Sequence, residues 1–104
     1  MANVVFYVSY KLKRGASVSE FLLASERLND AYMSKQKGYI SWKQLVDGET
    51  WADWLTFATM EDAKRVEQAT EPNALAETFY SYINLNSCKT HFFTVEREYG
   101  DRGD

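Results

Sequence analysis

One cysteine and one histidine in 104 residues close off several classes of protein at once. Cys88, being alone, excludes an intrachain disulfide and any multi-cysteine zinc site. His91 has no second histidine and no carboxylate at ligand spacing beside it, so a dedicated metal site is unsupported, and no cofactor is called for. Long apolar runs are also missing, as is a charged-then-apolar leader, which leads us to expect a soluble, cytoplasmic protein with no membrane span. A basic excess is missing too. The formal net charge is -3 and the lysines and arginines are scattered, so neither nucleic acid nor a membrane surface is an expected partner. There is no internal repeat, low-complexity tract or linker.

What the chain has in quantity is aromatic residues, 15% of its length against 26% charged and 45% hydrophobic. That composition and size describe one globular domain, taken as residues 1–99, with a polar tail at 100–104. From Asn3 to Lys13 the even positions Val4, Phe6, Val8, Tyr10 and Leu12 are apolar while the odd ones become polar, the period of a half-buried strand. Ser17 with Glu20 three residues later forms a capping-box signal, and Val18, Phe21, Leu22, Leu28 and Tyr32 then share one stripe of a helix expected to run to about Gln36.

Asp47 and Gly48 form a two-residue hairpin signal, so 39–46 and 49–58 should pair antiparallel with Val46 opposite Glu49. Counting from there puts Gln44 opposite Trp51, Trp42 opposite Asp53, and Ile40 opposite Leu55 on one side, with Tyr39, Leu45 and Trp54 on the other. Thr59 with Asp62 opens a second helix to about Ala69; Pro72 suits the start of a continuation carrying Leu75, Phe79, Tyr82 and Ile83; a last strand is expected over 88–99.

Strand, helix, strand, strand, helix, strand is the order of a split βαβ: an α+β, ferredoxin-like βαββαβ sandwich with helices on one face of a four-stranded antiparallel sheet. The face with Trp42, Trp51, Leu55 and Phe57 should meet the helices. The other still carries Trp54, Tyr39, Leu45, Val5 and Tyr7. At about 25 cal/mol per Å² of apolar area, that second face is better buried than left in water. A homodimer, sheet against sheet, is therefore expected.

The runs "VVFYVSYKLKRG", "KGYISWKQL" and "WLTFATMEDAKRVEQA" resemble the dimeric α/β-barrel superfamily, in particular its antibiotic biosynthesis monooxygenase-like members, over nearly the whole chain. The resemblance implies a ferredoxin-like protomer, a dimeric α/β barrel joined through the sheets, and a cleft between sheet and helices. It also implies chemistry that ranges from cofactor-independent oxygenation of aromatic polyketides to haem degradation. The haem-degrading branch uses an Asn in the first strand and a Trp and a His in the second helical segment; here the strand offers Phe6, Val8 and Tyr10, and 60–84 contains neither Trp nor His. At the end of the third strand, where the family often has an aromatic residue, stands Ala58.

Asp53 is the polar residue to watch, because the count puts its carboxylate on the helix side. Its two readings are a general base that takes a proton from a phenolic or enolic substrate, or a structural carboxylate accepting a bond from a Trp or Tyr. His91, the one side chain with an ordinary pKa near neutrality, is either a second catalytic group or a sheet residue. Tyr10, Tyr32, Trp42, Gln44, Trp51, Phe79 and Tyr82 are the candidates to line a cleft for a small hydrophobic or aromatic molecule; the competing reading makes the same rings core. Two functions stay open: a small-molecule-binding homodimer, with a cofactor-independent monooxygenase as its most specific version, and a non-catalytic structural, regulatory or stress-related dimer with a filled cleft.

Overall fold

The computed structural model describes residues 2–100. Its elements are β1 (Val4–Leu12), α1 (Val18–Ala31), a 3-10 turn (Met33–Lys35), β2 (Tyr39–Asp47), β3 (Thr50–Phe57), α2 (Met60–Glu67), α3 (Ala74–Tyr80) and β4 (Ile83–Thr94). The strands form one antiparallel sheet in the order β2-β3-β1-β4, with the helices on one face: a ferredoxin-like α+β fold. Most of the polar tail expected at 100–104 lies outside the described residues.

The helix starts are where the capping signals put them. Ser17 Oγ accepts the Glu20 amide at 3.2 Å, and Thr59 Oγ1 accepts that of Asp62 at 3.0 Å, satisfying donors that a helix cannot satisfy internally. α3 is capped by Asn73, whose Oδ1 takes the Leu75 and Ala76 amides, so Pro72 lies just ahead of the helix. α1 ends at Ala31, short of Gln36, and the chain continues as the 3-10 turn.

Phe21 organises the core. Fully buried, it stacks on Phe79 at 5.3 Å and meets Trp51, Tyr10 and Tyr82 edge-on. The even residues of β1 pack under it as expected, and Trp51 and Trp54 fall on opposite sides of the sheet.

Three expectations need correction. The hairpin is displaced by one pair: Asp47 faces Thr50, Gln44 faces Asp53 and Trp42 faces Leu55. The loop is Gly48-Glu49, because only Gly48 has positive φ (+61°); a loop of Asp47 and Gly48 would demand that conformation of both. Since the pleat repeats every two residues, this shift left every face assignment of 41–57 unchanged. The second correction does move a face. Ile40 is the extra residue of a bulge between Tyr39 and Ser41, so Tyr39 turns to the helix side, where its hydroxyl donates to Asn29 Oδ1 at 2.7 Å, while Ile40 is about half exposed.

Third, Tyr82 and Ile83 are not helical. β4 begins at Ile83, opposite Leu12, and ends at Thr94 rather than Tyr99. The Phe79–Ile83 spacing also suits a helix, and periodicity cannot separate the two in so short an apolar run. Further along, Tyr10 stands opposite a four-residue irregularity, 85–88, where the register jumps. Ser87 Oγ fills the gap by accepting the Lys11 amide at 2.8 Å. Asparagine and serine in that stretch read locally as loop, which is why the sequence pattern puts the strand start at Cys88.

Candidate functional site

Asp53 lies mid-strand in β3 with Val8 opposite on β1 and Gln44 opposite on β2. It is 3% exposed. Tyr10, two residues along β1 on the same face, donates its hydroxyl hydrogen to Asp53 Oδ1 at 2.9 Å. Gln44 instead donates to Ser25 Oγ at 3.0 Å, and Ser25 in turn to the Phe21 carbonyl, so the wall beside Asp53 is tied to α1. The Trp42 indole nitrogen is buried and makes no hydrogen bond of acceptable geometry, yet lies close enough to the carboxylate to favour its charge.

Burial pushes the Asp53 carboxyl up to about 6, against the opposing influence of Trp42, Tyr10 and Gln44. The Tyr10 phenol is driven far above its ordinary range by burial first and the Asp53 charge second. Burial, then Asp53, also raises the Cys88 thiol, and Tyr80 at the mouth of the site is raised in the same way. Asp53 therefore stands among acids that are all reluctant to ionise.

These groups border a cleft of about 210 Å³ between sheet and helices. Phe6, Val8, Leu55, Cys88 and Thr90 form its floor beside Asp53; Leu28, Met33, Val66, Phe79 and Tyr80 cover it. A cavity of about 150 Å³ accepts benzene, so this one has room for a single ring with a short substituent.

Of the residues singled out in the sequence, Asp53, Tyr10, Trp42 and Phe79 come together here. Gln44 stands behind Asp53 without lining the cleft. Trp51 and Tyr82 pack on Phe21, and Tyr32 joins the core at the end of α1. His91 is not brought to the site. It pairs with Tyr7 and stacks on Phe93 at 5.6 Å, on the sheet face away from the helices. Cys88 and Thr90 were missed as site residues, although with Phe92 they show the same alternation as β1. Among the described residues no group of three or more His, Cys, Asp and Glu side chains could hold a metal ion, and no helix is long and apolar enough to cross a membrane.

No protein-family model matches the sequence, and no curated protein does. Solved structures do. The cofactor-independent oxygenase SnoaB of Streptomyces nogalater superposes with a TM-score of 0.75 at 12% identity, covering 97% of this chain and 100% of its own. The fold is that of antibiotic biosynthesis monooxygenase-like proteins. A Bacillus cereus protein described as a candidate antibiotic biosynthesis monooxygenase superposes at 0.65 with 15% identity, covering 97% of this chain and 100% of its own. A dimeric Bacteroides fragilis protein of unknown function and ferredoxin-like fold does so at 0.61 with 20% identity, covering 88% and 95%. With this fold, the Asp53 cleft is a space between sheet and helices, separate from the opposite sheet face that carries Trp54 and Phe93.

Proposed function

We propose that the protein is a cytoplasmic homodimer that holds a small aromatic molecule in the Asp53 cleft and oxygenates it without metal or cofactor. The observation that carries this reading is the buried Asp53 carboxylate on the wall of an otherwise apolar cleft, pushed up to about 6. A base works best when its pKa lies near the working pH, and this one is ionised at neutrality while remaining more basic than a surface aspartate. It would take the proton of a phenolic or enolic substrate. The resulting carbanion-like centre passes one electron to dioxygen, and the radical pair joins as a hydroperoxide. Loss of water then turns a CH₂ group and O₂ into C=O and H₂O, with no outside reductant. Fold-likeness to SnoaB supports the reaction class, and the dimeric Bacteroides fragilis structure supports the assembly.

Oxygen-electrode assays on single-ring enolisable phenols test it: substrate-dependent O₂ uptake with ¹⁸O in the product is expected, abolished in Asp53→Asn. Uptake that survives this substitution refutes the role of Asp53. One observation favours the non-catalytic dimer: Trp51, Tyr82 and Tyr32 serve the core and leave only a small cleft. That reading gains if no ring compound stabilises the protein in a thermal-shift series, since a ligand bound to the native state must raise Tm.

A further inference from the structure

We propose that the Asp53 cleft binds arylalkylammonium ions, with the Asp53 carboxylate as counter-ion and aromatic rings as walls. The inference rests on the part of the preceding reading that makes the cleft a ligand site. It departs from the rest, because Asp53 paired to an ammonium is no longer a free base. Such a cation occupies the site in competition with any enolic substrate.

Asp53 carries a buried charge that no cation lining the cleft matches among the described residues. A buried carboxylate in a folded protein is ordinarily matched by a cation. Asp53 has only the neutral Tyr10 hydroxyl in hydrogen-bond geometry, and no Lys, Arg or His lines the cleft among the described residues. Nearby cations are engaged elsewhere: Arg65 bonds Asp62 at 2.8 Å, and Lys64 sits 5.5 Å from the centre of the Phe92 ring, which does not line the cleft.

The titratable groups that line the cleft with Asp53 are Tyr10 from β1, Cys88 from β4, Tyr80 from α3 and Glu67 from α2, none of which can carry a positive charge. Trp42 and Gln44 on β2 are neutral and favour the carboxylate as donors only. An anionic ligand meets repulsion. A neutral phenol finds an acceptor but leaves the buried charge uncompensated. An ammonium removes it through a charge-assisted hydrogen bond.

The walls suit the same ion. Phe79 meets Trp42 edge-on at 5.6 Å and Tyr80 at 5.4 Å, forming a corner of rings whose faces attract cations. A volume of about 210 Å³ matches one benzene ring with a two-carbon ammonium arm.

Calorimetric titration of the full-length protein at pH 7.5 with 2-phenylethylammonium, 2-phenylethanol and phenylacetate tests the proposal with one ring in three charge states. The ammonium should bind at least about tenfold more tightly than the alcohol, and phenylacetate should give no saturable heat. Asp53→Asn should erase the ammonium's advantage and leave the alcohol within about twofold. In the wild type, acidification to pH 5 should weaken the ammonium about tenfold and leave the alcohol unchanged, since Asp53 protonates near 6. This pH arm decides the matter even if the variant does not fold. Equal or tighter binding of the alcohol, saturable binding of phenylacetate, or a pH-independent ammonium overturns the charge pairing while leaving the cleft a ligand site. If none of the three binds, the ligand-site reading falls with it.

Discussion

Tyr10 and Asp53 meet across adjacent strands at 2.9 Å, a phenol held protonated by burial donating to a carboxylate that burial has made unusually basic. Asp53 raises the cost of ionising Tyr10, while the Tyr10 hydroxyl helps to hold the charge on Asp53. A carboxylate buried in this way weakens the fold at neutral pH, and such a cost is a common mark of a site kept for chemistry or binding rather than for stability.

The carboxyl holds its proton more tightly in the native state than in the unfolded one. Stability is therefore lost as pH rises from about 4 to about 6, and the loss is complete above that range. The rise from 3.8 to about 6 corresponds to about 3 kcal/mol, an order-of-magnitude figure. Asp53→Asn should be more stable than the wild type at pH 8, by an amount of that order, and about equal to it at pH 3.5. Urea denaturation at the two pH values measures this; a variant less stable at pH 8 contradicts the account.

Tyr10→Phe removes the donor and leaves the carboxylate with less to hold its charge. At pH 8 this should cost about 1–3 kcal/mol, the range for a buried polar group left unsatisfied. Below pH 5, with Asp53 neutral, the loss should shrink. Following the Asp53 carboxyl carbon by NMR should show its titration moved to higher pH.

Gly38 has φ of +82°, and a Cβ there would collide with the Asp62 carboxylate, which accepts a hydrogen bond from Arg65 in the first turn of α2. Gly15 has φ of +80° with open space around it. Gly15→Ala should therefore cost only the backbone strain, about 1–3 kcal/mol. Gly38→Ala should cost distinctly more, and thermal melts of the two variants side by side isolate the contact.

On the sheet face away from the helices, Val5 is buried while Trp54 is 40% and Phe93 51% exposed, with Tyr7 edge-on to both. If this face joins two copies, Trp54→Glu should convert a dimer into a monomer in sedimentation equilibrium at micromolar concentration and leave the Asp53 cleft intact. A wild type that sediments as a monomer removes the premise.

The alternation of Val4 through Leu12, the two capping signals and the opposite facing of Trp51 and Trp54 were all legible in the sequence. Each depends on neighbours a few residues away, and the period of a strand or a helix start is a local property. Asp53 was legible as a helix-side carboxylate for the same reason, and the error in hairpin register did not disturb it because a shift by one pair keeps every residue on its face. The start of β4 was not legible. Ile83 pairs with Leu12 across most of the chain, and its polar irregularity at 85–88 looks like a loop until Ser87 is seen bonding Lys11.

The sequence by itself determined the facing of the first strand and of 41–57, with Asp53 on the helix side among them. Only the tertiary structure decided which of them share a cavity. It set Cys88 and Thr90 beside Asp53, turned Tyr39 inward through a bulge, and placed His91 on the far side of the sheet. The physical reason is that facing follows from a period of two along one strand, whereas proximity follows from the register between strands, which turn geometry and bulges set one pair at a time.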